Sequence, residues 1–152
     1  MGMFGMFGKK KDTTAADSGD YGSDMVGMMK MMAGMPHMMR KPMMKGRINQ
    51  LLSLPEEKRQ ESLRDMLGAF HSPQVNDSTR EKVVATRVEI IGEMTEDRRR
   101  TIMTSRVAAM KVAPELDEKD QQVTERVLPE ISDSTREAFM STWSEVVKGS
   151  GS

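Results

Sequence analysis

Five segments of this chain open alike: LPEEKR at Leu54, VNDSTR at Val75, MTEDRR at Met94, LDEKDQ at Leu116 and ISDSTR at Ile131. Each begins with an apolar residue and a cap or helix-start residue. An acid follows, and Arg or Gln stands three residues beyond it. That order suits a helix N-terminus. The apolar residue fits the N′ end of a hydrophobic staple, and the acid sits where the helix dipole favours negative charge. Glu56–Arg59, Asp77–Arg80, Glu96–Arg99 and Asp133–Arg136 read as i,i+3 ion pairs, each adding about 0.2–0.5 kcal/mol. The starts recur at intervals of 21, 19, 22 and 15 residues, room for a helix of about four turns and a short loop.

The rest of the pattern agrees. Ser72-Pro73, Gly92, Ala113-Pro114 and Pro129 are stops. Apolar residues keep helical spacing at Leu63, Met66, Leu67 and Phe70, at Val83, Val84, Val88 and Ile91, and at Ile102, Met103, Val107 and Met110. The second and fifth segments share DSTRE at Asp77–Glu81 and Asp133–Glu137, then Thr86/Thr142 and Glu89/Glu145. Trp143 aligns with Arg87 in this duplication and is expected to be partly buried, because indole is large and apolar. No strand signal is present. The expected fold is all-α: a small helical bundle or short α-solenoid of about five antiparallel helices over residues 48–148. This repeated layout, with its Leu-Pro-Glu-Glu type of start, resembles the helical superhelix domains of magnesium-transporter cytoplasmic regions and flagellar switch proteins. The resemblance implies an architecture and no activity.

Ahead of this body lies a chain of different character. Residues 1–24 repeat Gly-Met-Phe, pass through Lys9–Lys11 and become small and polar. That composition buries too little surface to offset ordering entropy, so the segment is expected to be disordered. Ten of the twenty residues from Met25 to Met44 are methionine, and no carboxylate stands between Asp24 and Glu56. Residues 1–47 carry eight Lys/Arg against four Asp, whereas the remainder carries fifteen against nineteen. We expect residues 25–47 to be a basic, Met-rich arm of two short helices, near 24–34 and 37–53 with a break at Pro42. The closing GSGS, residues 149–152, reads as a flexible tail.

Composition excludes more than it assigns. Without cysteine there is no disulfide framework and no thiolate metal site. No P-loop, G-x-G-x-x-G, G-x-S-x-G or H-E-x-x-H occurs, so no reaction and no catalytic residue is expected. No charge-free apolar run reaches the roughly 18 residues of a spanning helix. The start does not read as a secretory signal, so a cytoplasmic protein with peripheral membrane contact is the expectation. Arg98-Arg99-Arg100 adjoins Glu96 and Asp97 and reads as a solvated face. His71 falls at a helix C-terminus, where a cation suits the dipole.

The Met-rich arm therefore carries the functional expectation. Met25, Met28, Met29, Met32 and Met35 form one helical stripe that suits packing on the body. Met31, Met38, Met39, Met43 and Met44 spread apolar surface over other faces. Methionine is unbranched and polarizable and moulds itself to varied apolar partners. With Lys30, Arg40 and Lys41 alongside, all these residues are expected to meet an apolar, acidic surface. The partner would be a helix of a membrane protein or larger complex, or anionic lipid. Between Met25 and Arg47 the composition is similar to the Met-, Gly- and Lys-rich segments of the signal recognition particle's M domain, which bind hydrophobic signal helices. The resemblance implies a mode of binding, and the accompanying GTPase features are absent. The expected role is a non-catalytic adaptor, assembly factor or accessory subunit without a cofactor. Its alternative is a copper(I) or other soft-metal protein using Met35, His37, Met38 and Met39. Nucleic-acid binding is the weakest reading, since aromatics for base stacking are scarce.

Overall fold

A computed structural model describes residues 17–150, with side chains from residue 24 onward. It contains seven α-helices and, among the described residues, no strand: α1 (Asp17–Ala33), α2 (His37–Leu52), α3 (Glu56–Phe70), α4 (Asp77–Glu93), α5 (Glu96–Met110), α6 (Pro114–Val127) and α7 (Asp133–Gly149), with a 3-10 turn at Leu128–Glu130. Residues 1–16, most of the segment expected to be disordered, lie outside the described residues, and α1 opens within that segment at Asp17. Of the closing tail, residues 151–152 also lie outside.

Successive helices pack mainly on the second helix along: α1 on α3, α2 on α4, α3 on α5, α4 on α6 and α5 on α7. Helix α4 is central and touches α1, α2, α6 and α7. Its apolar residues accordingly run around the helix instead of along one stripe, with Val83, Val84 and Val88 fully buried. Gly92 permits the close approach of α7: a Cβ there would stand 2.6 Å from the Thr135 methyl and 2.7 Å from its carbonyl oxygen. Gly92 therefore lies inside α4 as a packing residue and is not the expected stop.

The Met-rich segment belongs to the body. Met29, Met32, Met44, Ile48 and Leu51 share one buried cluster with Leu67, Val88 and Met103. The expected boundary at 47/48 falls inside α2, which runs unbroken through Pro42. Pro42 is exposed, and its ring removes one backbone donor. Arg40, Met44, Ile48 and Leu51, buried on one face, hold the helix on both sides of it. The break lies earlier, where the Gly34 amide caps the Lys30 and Met31 carbonyls and Pro36 precedes α2.

Four of the five expected starts are observed, at Glu56, Asp77, Glu96 and Asp133. LDEKDQ is not one of them. Helix α6 begins at Pro114, so Leu116 and Asp117 lie inside it. The fourth position of α2, α3, α4, α5 and α7 is arginine: Arg40, Arg59, Arg80, Arg99 and Arg136. In each case the guanidinium folds back to the carbonyl of the apolar residue five places earlier: Met35 (2.9 Å), Leu54 (2.7 Å), Val75 (2.6 Å), Met94 (2.7 Å) and Ile131 (2.8 Å). The expected hydrophobic staple is thus replaced by an arginine clamp on that residue's backbone. Three of the four expected i,i+3 pairs form. Glu96 pairs with Arg100 instead of Arg99.

Three of these arginines also reach across the stack. Arg40 Nε donates to Thr86 Oγ1 (3.0 Å), Arg59 Nε to Ser105 Oγ (2.8 Å) and Arg99 Nε to Thr142 Oγ1 (2.8 Å). The acceptor is each time the tenth residue of the helix two places on. Donor and hydroxyl are buried in every pair, where charge-assisted bonds are worth about 1.5–3 kcal/mol each. The shared Thr86 and Thr142 of the duplicated segments are the receiving ends of this ladder.

Candidate functional site

Helix α6 carries none of this machinery. Asp117 stands at its fourth position and Val123 at its tenth, so Arg80 of α4 meets no hydroxyl there and its Nε donates to the Phe70 carbonyl (2.8 Å). In place of the ladder, α6 inserts Asp120, which is fully buried. Arg87 bonds both carboxylate oxygens (3.1 and 3.0 Å), Arg106 bonds Oδ2 (3.0 Å), and His71 Nε2 donates to Oδ1 (2.9 Å). Arg106 also holds Asp117 (2.7 Å). Burial pushes the Asp120 carboxyl up, but the charge of Arg87, the His71 hydrogen bond and the charge of Arg106 outweigh it. They hold the carboxyl well below the usual carboxylate range.

The sequence held a signal for this cluster that the helix-start reading of LDEKDQ hid. Leu116, Asp120, Val123 and Val127 lie on one helical stripe of α6, and Arg87 lies among the apolar residues of α4. A carboxylate and a guanidinium on two apolar stripes require each other, because neither charge is buried alone. His71 caps α3 as expected, and Asp120 is its further partner.

Beside the cluster an apolar pocket of about 110 Å³ opens between α3, α4, α5, α6 and α7. Met103 and Met140, each the eighth residue of its helix, line it, as do Arg87, Arg106 and Trp143, each the eleventh. Arg106 stacks over the Trp143 ring at 5.2 Å and Arg87 over Phe70 at 5.6 Å, so the guanidiniums serve as both ion-pair partners and pocket wall. Trp143 is half-buried. A second, smaller pocket of about 30 Å³ is lined by Met25, Met28, Met29 and Met32 of α1 and Met44 of α2. Met66 and Arg87 line both pockets.

The residues expected to meet a partner divide sharply. Met29, Met32 and Met44 are buried, and Met25, Met28 and Met35 are half-buried. Arg40 is buried and its guanidinium is taken up by Thr86 and backbone carbonyls. Lys41 pairs with Glu93 (2.9 Å) and Glu89 (3.4 Å). Burial lowers its pKa, but the bonds and charge of these two carboxylates outweigh it, giving a net upward shift. Exposed at the α1–α2 corner are Met31, Met38, Met39 and Met43, at 53%, 79%, 56% and 41%. Lys30, Lys45 and Arg47 are exposed on the same two helices and pair with no carboxylate among the described residues. His37, proposed by its neighbours as a soft-metal ligand, bonds Glu89 through Nε2 at 2.7 Å.

The Arg98-Arg99-Arg100 run is dispersed: Arg98 reaches Asn49, Arg99 joins the ladder, and Arg100 pairs with Glu96 and Glu145. Among the described residues no three His, Cys, Asp or Glu side chains gather as a metal site, and no helix is long and apolar enough to cross a membrane. No family model, curated protein or solved structure matches the chain.

Proposed function

We propose that this chain is a non-catalytic interaction protein, an adaptor or accessory subunit built as a short α-solenoid. Its α1–α2 corner docks on an apolar helix with acidic flanks in a partner protein. One observation carries the reading: four methionines stand exposed at that corner on helices whose Lys30, Lys45 and Arg47 pair with no carboxylate among the described residues, while Met29, Met32 and Met44 are buried. Met39 and Met43 lie four residues apart and so share a face of α2. That face is rigid, because His37, Arg40 and Lys41 fasten α2 to α4. A rigid apolar patch with a cationic margin recognises an amphipathic helix by its apolar stripe and selects for negative charge around it.

The test uses two synthetic amphipathic helices with one apolar face, flanked by Glu or by Lys, and phosphatidylserine vesicles as a third probe. Binding of the Glu-flanked helix should weaken with salt. It should fall about tenfold or more when Met31, Met38, Met39 and Met43 are changed to Gln, and persist when they are changed to Leu. Equal binding of both helices, or indifference to the Gln changes, contradicts the reading. A preference for the vesicles transfers the role to a lipid surface.

A further inference from the structure

The groove that α3, α4, α5, α6 and α7 form calls for an occupant of its own. Its pocket is apolar, opens to solvent beside Trp143 and Met140, and at about 110 Å³ has room for one large side chain. Cavities of this order hold a benzene-sized group. Met66 and Arg87 on its wall also line the smaller pocket, together with Met25 and Met28 of α1. Met25 stands eight residues beyond Asp17, where α1 begins, a distance of about 12 Å along the helix axis.

Sixteen residues precede Asp17 and include Met3-Phe4-Gly5-Met6-Phe7. The two other phenylalanines of the chain, Phe70 and Phe139, are buried; Phe4 and Phe7 precede the described residues. From Phe7 to Asp17 the chain can span up to about 34 Å, enough to return along the groove. Lys9, Lys10 and Lys11 follow Phe7 directly. Helix α6, on the pocket wall, exposes Glu115, Glu118 and Glu125, the last of them at the pocket itself.

We propose that Met3–Phe7 is the ligand of this groove in its own chain, with a phenyl ring in the pocket against Trp143 and Met140 and the three lysines toward α6. Tethering supplies an effective concentration in the millimolar range, so a weak contact suffices. The inference is independent of the α1–α2 corner, which stays open to a partner whether or not the groove is filled.

Trp143 is the only tryptophan, so its emission reads the pocket directly. In the full chain, Phe4→Ser with Phe7→Ser should shift Trp143 emission to the red and raise acrylamide quenching about twofold, with helix content unchanged. Adding a peptide of residues 1–16 to that variant should restore protection, and the same peptide with both serines should not. In a Met140→Lys chain the Phe changes should have no further effect. Identical emission and quenching in the parent and the double variant, or a peptide that restores nothing, overturns the proposal. Protection that grows with protein concentration assigns the occupant to a second copy and overturns it too.

Discussion

Helix α6 and the helices around it bury charge in opposite ways. In α2 and α5 the buried arginine meets no carboxylate, and in α3 it meets only the exposed Glu56 of its own helix: Arg40, Arg59 and Arg99 each distribute their donors between a hydroxyl two helices on and carbonyls behind them. Those bonds repeat in one register and stitch each helix to the second beyond it. In α6 the arginine and hydroxyl are gone, and a single carboxylate gathers two arginines and a histidine from three other helices. The apolar pocket opens beside that interruption, lined by Gln121, Thr124 and Glu125 of α6. The regular ladder builds a scaffold, and the place where it lapses is where an individual site forms.

The largest test of this contrast is Asp120→Ala. It leaves Arg87, Arg106 and His71 without their shared partner and should lower unfolding stability by about 3–5 kcal/mol in urea denaturation. A ladder rung should matter less. Arg99→Lys keeps the charge but cannot reach the Thr142 hydroxyl and the Met94 carbonyl together, for a loss of about 1.5–3 kcal/mol. If the rung proves as severe as Asp120, the two devices are equivalent and the contrast fails. Gly92→Ala should destabilise by about 1–2 kcal/mol, as overpacking against Thr135 outweighs the helix propensity gained. Smallest of all, changing Met31, Met38, Met39 and Met43 singly to Gln should move stability by less than about 0.5 kcal/mol each. Met32→Ala or Met103→Ala, in the core, should remove about 2–5 kcal/mol. A large stability effect at the exposed four would place them in the fold and not on a docking face.

How far these features were legible in the sequence follows from the same contrast. Helix type, four starts and the apolar stripes were readable, because caps, acids and 3.6-residue spacing are local. The arginine three residues past each acid was visible too, though its meaning was not. An i,i+3 pair is a local inference, whereas the Thr86, Ser105 and Thr142 acceptors lie two helices away. PHMMR at Pro36–Arg40 is a further copy of the start, with Met35 as its apolar residue, but it lacks the acid and was hidden by methionine density. That concealment made α1 and α2 read as an arm. Which methionines face outward depends on where α3 and α4 lie, and that is tertiary information. The pocket, too, is formed by five helices whose relative placement no local signal encodes.

The central claim is that one buried, ionised carboxylate in α6 takes the place of the ladder. In the unfolded chain Asp120 titrates near the ordinary value of about 3.9, and in the fold its partners hold it lower. Its contribution is therefore complete above that ordinary value and drains away as the pH falls below it, by about 1.4 kcal/mol per unit. The most direct measurement is urea denaturation of the parent and Asp120→Asn chains at a series of pH values from 7 to 2. We predict a constant stability difference of several kcal/mol down to about pH 4 that narrows steadily below it. Curves that stay parallel throughout, or that coincide at neutral pH, would contradict the assignment of Asp120 as the ionised centre of the fold.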